Sequence, residues 1–140
     1  MIDDIFSEVK KIGLPPESYV VVGGGVLAAY GIRETQDIDI VVLPEIFMLL
    51  QSQGFELDPV YEGKWGRLRL KKDGVEIYPD FYSDHEQRFI DIEDLIDSAV
   101  IINDIAFMSF ERLRSCKQSS SREKDLQDLK LIDMYLSSNK

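Results

Sequence analysis

Tyr19-Val-Val-Val-Gly-Gly-Gly-Val-Leu-Ala-Ala-Tyr-Gly-Ile-Arg-Glu-Thr-Gln-Asp-Ile-Asp-Ile-Val-Val42 is the stretch whose reading decides the fold. Tyr19–Val22 is β-branched and apolar, as a buried strand requires. The glycines that follow open a short helix over Val26–Tyr30, which stops at Gly31. Ile38–Leu43 is a second strand, and Asp37 and Asp39 stand at its start. Glycines before a helix let backbone N–H groups approach a phosphate, and the helix N-terminus favours negative charge. Side chains at i and i+2 of a strand share a face, roughly 7 Å apart. Two carboxylates so placed repel each other unless a cation sits between them. A phosphate cradle at Gly23 and Gly24, beside a divalent-metal site at Asp37 and Asp39, implies chemistry on a nucleotide.

Upstream, Ile2, Ile5, Phe6, Val9 and Ile12 recur at helical spacing and predict an opening helix, ended by Gly13 and Pro15-Pro16. Downstream, Pro44 begins a helix through about Gln53. The middle reads as antiparallel. Leu57–Tyr61 and Leu68–Lys71 are expected to flank a Gly63-Lys-Trp-Gly66 turn, with Trp65 packed under the hairpin. Asp73-Gly74 is a two-residue hairpin turn, and Val75–Tyr82 continues as a strand. Pro79 marks an edge, a bulge or that strand's end. Ile90–Ala99 reads as a short acidic helix. Val100–Ile102 and Ile105–Phe107 surround Asn103-Asp104 as a small hairpin or a strand with a turn. Ser109 caps a helix through about Gln118, and Ser119-Ser-Ser121 is a polar break. Arg122–Leu136 is the last helix, with Leu126, Leu129, Ile132 and Leu136 as its apolar side. The order predicts one α+β (mixed α/β) domain over residues 1–140, a small mixed sheet flanked by helices with a C-terminal helical pair.

Composition narrows the function. The 140 residues, 44% apolar, suit a single domain. No apolar run approaches the roughly 20 residues of a membrane span, and the acidic start lacks the features of a signal peptide. Cys116 is the only cysteine, so neither an intrachain disulfide nor a thiolate zinc cluster can form. A cytoplasmic location is the expectation. The net charge of −10 argues against a broad nucleic-acid surface. Arg112, Arg114, Lys117, Arg122 and Lys124 nevertheless cluster near the C-terminus, which fits a triphosphate pocket or a solvated helix face. His85, in a polar loop, reads as a surface residue.

The pattern resembles the nucleotidyltransferase superfamily that includes DNA polymerase beta. The resemblance rests on Val22-Gly23-Gly24, a 12-residue spacer (25 to 36) and Asp37-Ile38-Asp39. Arg33-Glu-Thr-Gln-Asp-Ile-Asp39 is similar to the small bacterial and archaeal members. Arg122-Glu-Lys-Asp-Leu-Gln-Asp128 looks like the Arg-x-Lys-Asp-x-x-Asp helix of antitoxin-like and aminoglycoside- or lincosamide-type relatives. The family places a third acid on a later strand. Glu76 and Asp80 both lie between apolar residues and share strand parity, and Gly-Val-Glu-Ile favours Glu76, with Asp80 as the alternative.

What the resemblance implies is a metal-dependent transfer of a nucleoside monophosphate from an NTP to a hydroxyl, with pyrophosphate leaving. Asp37, Asp39 and Glu76 would be the catalytic and metal-binding acids for Mg²⁺ or Mn²⁺. Gly23, Gly24, Arg33, Lys117 and Lys124 would bind the nucleotide, with Arg122 a further candidate; the alternative for Arg122 and Lys124 is pairing with Asp125 and Asp128 to pin the last helix. The acceptor would be a partner toxin protein or a small molecule, with RNA less favoured by the acidic surface. A partner chain or a homodimer would complete the acceptor site. The alternatives are a non-catalytic nucleotide-binding or antitoxin-like interaction module that keeps the fold, and a Mg²⁺-dependent phosphohydrolase.

Overall fold

A computed structural model describes residues 4–120 and 122–138; Ile2 of the expected first helix and Ser121 of the polar break lie outside them. Helix α1 (Ile5–Ile12) begins at Asp4, whose carboxylate accepts from the Phe6 and Ser7 amides, and ends at Gly13 in the left-handed conformation. Strand β1 (Tyr19–Val22) is buried at every position. It leads into helix α2 (Gly24–Ala29) and then strand β2 (Ile38–Val42). Helix α3 (Pro44–Ser52) follows with Pro44 in its first turn.

The next segment departs from the expected hairpin. Only Glu56–Leu57 forms strand β3, and Pro59–Trp65 is helix α4. Asp58 caps that helix by accepting from the Val60 and Tyr61 amides, Pro59 pre-sets its first turn, and Gly66 closes it at φ 66°. Trp65 therefore ends a helix and is 59% exposed, so it does not pack under a hairpin. Strands β4 (Leu70–Lys72) and β5 (Val75–Tyr78) form the expected hairpin around Asp73-Gly74, both at positive φ. Pro79 ends β5, and a separate ribbon of β6 (Tyr82–Ser83) and β7 (Arg88–Phe89) follows. Helix α5 (Ile92–Asp97) precedes β8 (Val100–Ile102) and β9 (Ile105–Phe107), a hairpin whose turn residues Asn103 and Asp104 also take positive φ. Helices α6 (Phe110–Gln118) and α7 (Glu123–Ser138) complete the chain.

The architecture is α+β. Its seven-stranded mixed sheet has the order β3-β4-β5-β2-β1-β9-β8. β1 pairs antiparallel with β2, and β2 runs parallel to β5. The centre of the sheet carries the core, with Val20, Val21, Ile38, Ile40, Val42 and Ile77 sealed from solvent. Phe6 of α1 meets Phe107 of β9 edge to face, 5.8 Å between centroids. None of the described helices is long and apolar enough to cross a membrane.

The C-terminal pair forms, but α7 is oriented differently from expectation. Its buried residues are Asp125, Asp128 and Ile132, whereas Leu126 and Leu136 are exposed. Two carboxylates occupy the inward face because cations from elsewhere in the fold meet them there.

Candidate functional site

The three glycines after β1 are small for different reasons. Gly23 sits at φ 65° and ψ −142°, a conformation that side chains disfavour. A Cβ there would also lie 3.2 Å from Asp39 Oδ2. A Cβ on Gly24 would lie 2.8 Å from Thr35 Oγ1, and one on Gly25 would lie 2.8 Å from Val21 Cγ1. The backbone thus runs close past the carboxylate of Asp39 and the loop that leads to it. Thr35 is buried and donates its hydroxyl to the Asp37 carbonyl at 2.8 Å, which fixes the entry into β2.

The parallel pairing of β2 and β5 sets Asp39 directly opposite Glu76, with Ile38 N–H donating to the Gly74 carbonyl at 2.9 Å. Tyr78 lies two residues beyond Glu76 on the same face. Its hydroxyl stands 3.4 Å from Asp39 Oδ1 and 3.3 Å from Glu76 Oε2, and its single proton serves one of them at a time. Arg69, just before β4, donates Nη1 to the Tyr78 oxygen at 3.1 Å and contacts Glu76 with the same nitrogen. Its Nε and Nη2 hold Asp58 Oδ2 at 2.9 and 2.8 Å. The guanidinium also lies over the Tyr61 ring, 4.3 Å from its centroid.

Acid exceeds base in this cluster. Burial first, then the charges of Glu76 and Asp37, push the Asp39 carboxyl up to about 6. Burial and the Asp39 charge also push the Tyr78 hydroxyl upward. Asp37 is exposed at the mouth of a cleft of about 410 Å³, whose walls include Gly24, Arg33, Asp39, Lys124 and Asp128. Among the described residues, no set of three or more His, Cys, Asp or Glu side chains is arranged to hold a metal ion.

The other acid proposed for the third position, Asp80, receives Arg67 Nη2 at 2.6 Å and belongs to a separate ion pair. The expected cations divide. Lys117 is buried in α6 and donates to Asp125 Oδ1 at 3.0 Å and Asp128 Oδ2 at 2.9 Å. Arg33 donates Nε and Nη2 to the two Asp128 oxygens at 2.7 and 2.9 Å, and Nη1 to the Glu34 carbonyl. Arg122 pairs with Asp125. Lys124 lines the cleft and makes no ion pair among the described residues. Arg112 and Arg114 pair with Glu86 and Asp133, so most of the basic cluster is matched residue by residue.

Comparison of the chain with protein-family models, with curated proteins and with solved structures finds no match. Arg69, Tyr78 and Asp58 escaped the reading of the sequence. Tyr78 carried a signal, because it shares strand parity with Glu76 and Asp80. Asp58-Pro59 carried another, as the cap and first residue of a helix. Nothing local marks Arg69, whose partners are set by the β4–β5 register.

Proposed function

We propose that this chain is a small nucleotidyltransferase of the DNA polymerase beta superfamily. It transfers a nucleoside monophosphate from an NTP to a hydroxyl on a protein or small-molecule acceptor. The observation that carries this reading is the meeting of Asp39 with Glu76 across β2 and β5, hard against the Gly23 backbone. Clustering carboxylates around a partly buried aspartate costs stability, which a functional site explains better than a packing need does.

The donor chemistry suits a hard divalent cation, although the three acids are not gathered around a common point in this structure. All three donors are carboxylates, the chemistry preferred by Mg²⁺ and Mn²⁺. Burial, then the charges of Glu76 and Asp37, pushes the Asp39 carboxyl up to about 6, and a cation would relieve that repulsion. Asp37, Asp39 and Glu76 would hold the ion, which when bound supplies positive charge against the triphosphate and acidifies the acceptor hydroxyl. The chain's own groups do the rest. Gly23 and Gly24 admit the phosphates close to the backbone, and Lys124 offsets their charge, with Arg33, already paired to Asp128, lining the same cleft. Glu76 would accept the acceptor's proton. The acceptor oxygen bonds to the α-phosphorus as the bond to pyrophosphate breaks. A toxin-like partner chain or a second copy would complete the acceptor site, in the cytoplasm.

The test is incubation with each α-labelled NTP, Mg²⁺ or Mn²⁺, and cell lysate, beside Asp37→Ala/Asp39→Ala. Label on an acceptor, with pyrophosphate released, is expected only with the intact acids. Release of orthophosphate instead would point to a phosphohydrolase. A second reading, a non-catalytic nucleotide-binding or antitoxin-like module, is favoured by one feature: Glu76 already has a counter-ion in Arg69. It predicts that ATP with Mg²⁺ raises the melting temperature while no label moves.

A further inference from the structure

Arg69 has a divided guanidinium. One edge, Nε and Nη2, is fixed on Asp58, which is 2% exposed and in turn caps α4. The remaining nitrogen, Nη1, reaches Glu76 and the Tyr78 oxygen. The two edges hold their partners separately while sharing one charge, so losing Glu76 would leave the Asp58 pair and the contact with the Tyr61 ring in place. Glu76 is 17% exposed, a little less than Arg69 at 23%, and among the described residues only the Tyr78 hydroxyl otherwise approaches it, at 3.3 Å. Asp37, Asp39 and Glu76 together carry three negative charges when ionised, and Arg69 answers one of them.

We propose, on the metal-dependent reading of this site, that Arg69 is a positioning residue. It holds Glu76 as a resident counter-ion and gives it up when that carboxylate joins Asp37 and Asp39 on a divalent cation. Arg69 therefore sets the affinity of the acidic cluster for metal. Asp58 anchors it: with Asp58 ionised, part of the guanidinium charge is spent away from Glu76. Arg69 lowers the resting repulsion of the cluster and, by the same contact, competes with the ion.

The two partners of Arg69 give the test opposite signs. Mn²⁺ is titrated into the metal-stripped whole chain and free ion is read by electron paramagnetic resonance. Arg69→Gln removes the competing cation and is expected to tighten Mn²⁺ binding on the order of tenfold. Asp58→Asn keeps a good helix cap but frees Arg69 to bear on Glu76, and is expected to weaken it several-fold. Both substitutions lower stability, so a structural role alone would not separate them. In a Glu76→Gln background both effects should shrink toward nothing. If Arg69→Gln does not fold, Asp58→Asn with and without Glu76→Gln carries the test alone.

Unchanged or weaker Mn²⁺ binding in folded Arg69→Gln overturns the proposal. So does an effect of the same size when Glu76 is already Gln, since Arg69 would then act as a general charge. If the folded wild type binds no Mn²⁺ that Asp37→Ala/Asp39→Ala abolishes, the metal-dependent reading fails with it. Saturable binding by wild type with no response to Arg69 or Asp58 leaves that reading standing and sinks only the role of Arg69.

Discussion

Asp39 and Asp128 line the same cleft and meet opposite fates. Asp39 is pushed up to about 6, because burial and two neighbouring acids work against its charge. Burial works against Asp128 as well, yet the hydrogen bonds from Arg33 and Lys117 outweigh it and hold that carboxyl below its ordinary range. Its neighbour Asp125 is likewise drawn down to about 2 against burial, with Ser120, Lys117 and Arg122 as donors. One wall of the cleft is left with excess negative charge and the other is balanced group by group. A fold that can match Asp125 and Asp128 so fully has the means to match Asp39. That contrast is what supports the proposal of a ligand site on the Asp39 wall.

The largest expected effect lies on the balanced wall. Asp128→Ala leaves the buried Lys117 with only Asp125 and strips Arg33 of its bidentate partner. Removing one member of a buried ion network costs about 3–5 kcal/mol, because the survivors stay buried without their counter-charge. Urea unfolding at pH 7 measures it. A loss below about 1 kcal/mol would mean that the network decorates α6 and α7 without holding them to the Arg33 loop.

Next comes the opposite wall, with the opposite sign. Asp39→Asn should stabilise the metal-free protein at pH 8 by about 1–3 kcal/mol, since roughly two pH units of proton affinity separate its folded and ordinary values. Below about pH 4, folded and unfolded chains both hold the Asp39 proton, and the variant gains nothing. Between about 4 and 6 the folded chain binds the extra proton, so wild-type stability falls as pH rises and the advantage of Asn grows. Above 6 the advantage is complete. Melting curves from pH 4 to 8 in a chelating buffer would show this. A stabilisation that is flat with pH would remove the contrast between the walls.

The contrast also explains what could be read from the chain alone. Tyr19–Val22, the glycines, Asp37, Asp39 and the Asp73-Gly74 turn are local signals that put Asp39 and Glu76 on strands, but that those strands are neighbours came only with the fold. The class of fold was therefore legible, whereas Glu76 was favoured over Asp80 only through the family resemblance. Helix α4 was not read, because Val60 and Tyr61 extend an apolar run although Val60 is exposed, while the cap Asp58 and the stop Gly66 were the better guides. The balanced wall was illegible for another reason. Arg33 and Asp128 meet across 95 residues of sequence, and a buried face made of aspartates looks like a solvated one until its cations are in place. Apolar spacing picked Leu126 and Leu136 for the inner side of α7, and the charge network turned Asp125 and Asp128 there instead.

Lys124 gives the smallest effect on stability and the sharpest separation of the two roles. It stands two residues after Arg122 and one before Asp125, in the middle of the balanced network's sequence, yet it is exposed at the cleft and joins none of those pairs. Lys124→Ala should change unfolding free energy by no more than about 0.5 kcal/mol, as expected for an unpaired surface residue. If the cleft takes a triphosphate, the same substitution should weaken ATP binding several-fold at low ionic strength, and the deficit should narrow as salt screens the wild-type contact. Isothermal titration at two salt concentrations reads both. Loss of stability with unchanged ATP affinity would reverse the assignment, making Lys124 one more strut of α7 and leaving the cleft without the cation that distinguishes binding from bracing.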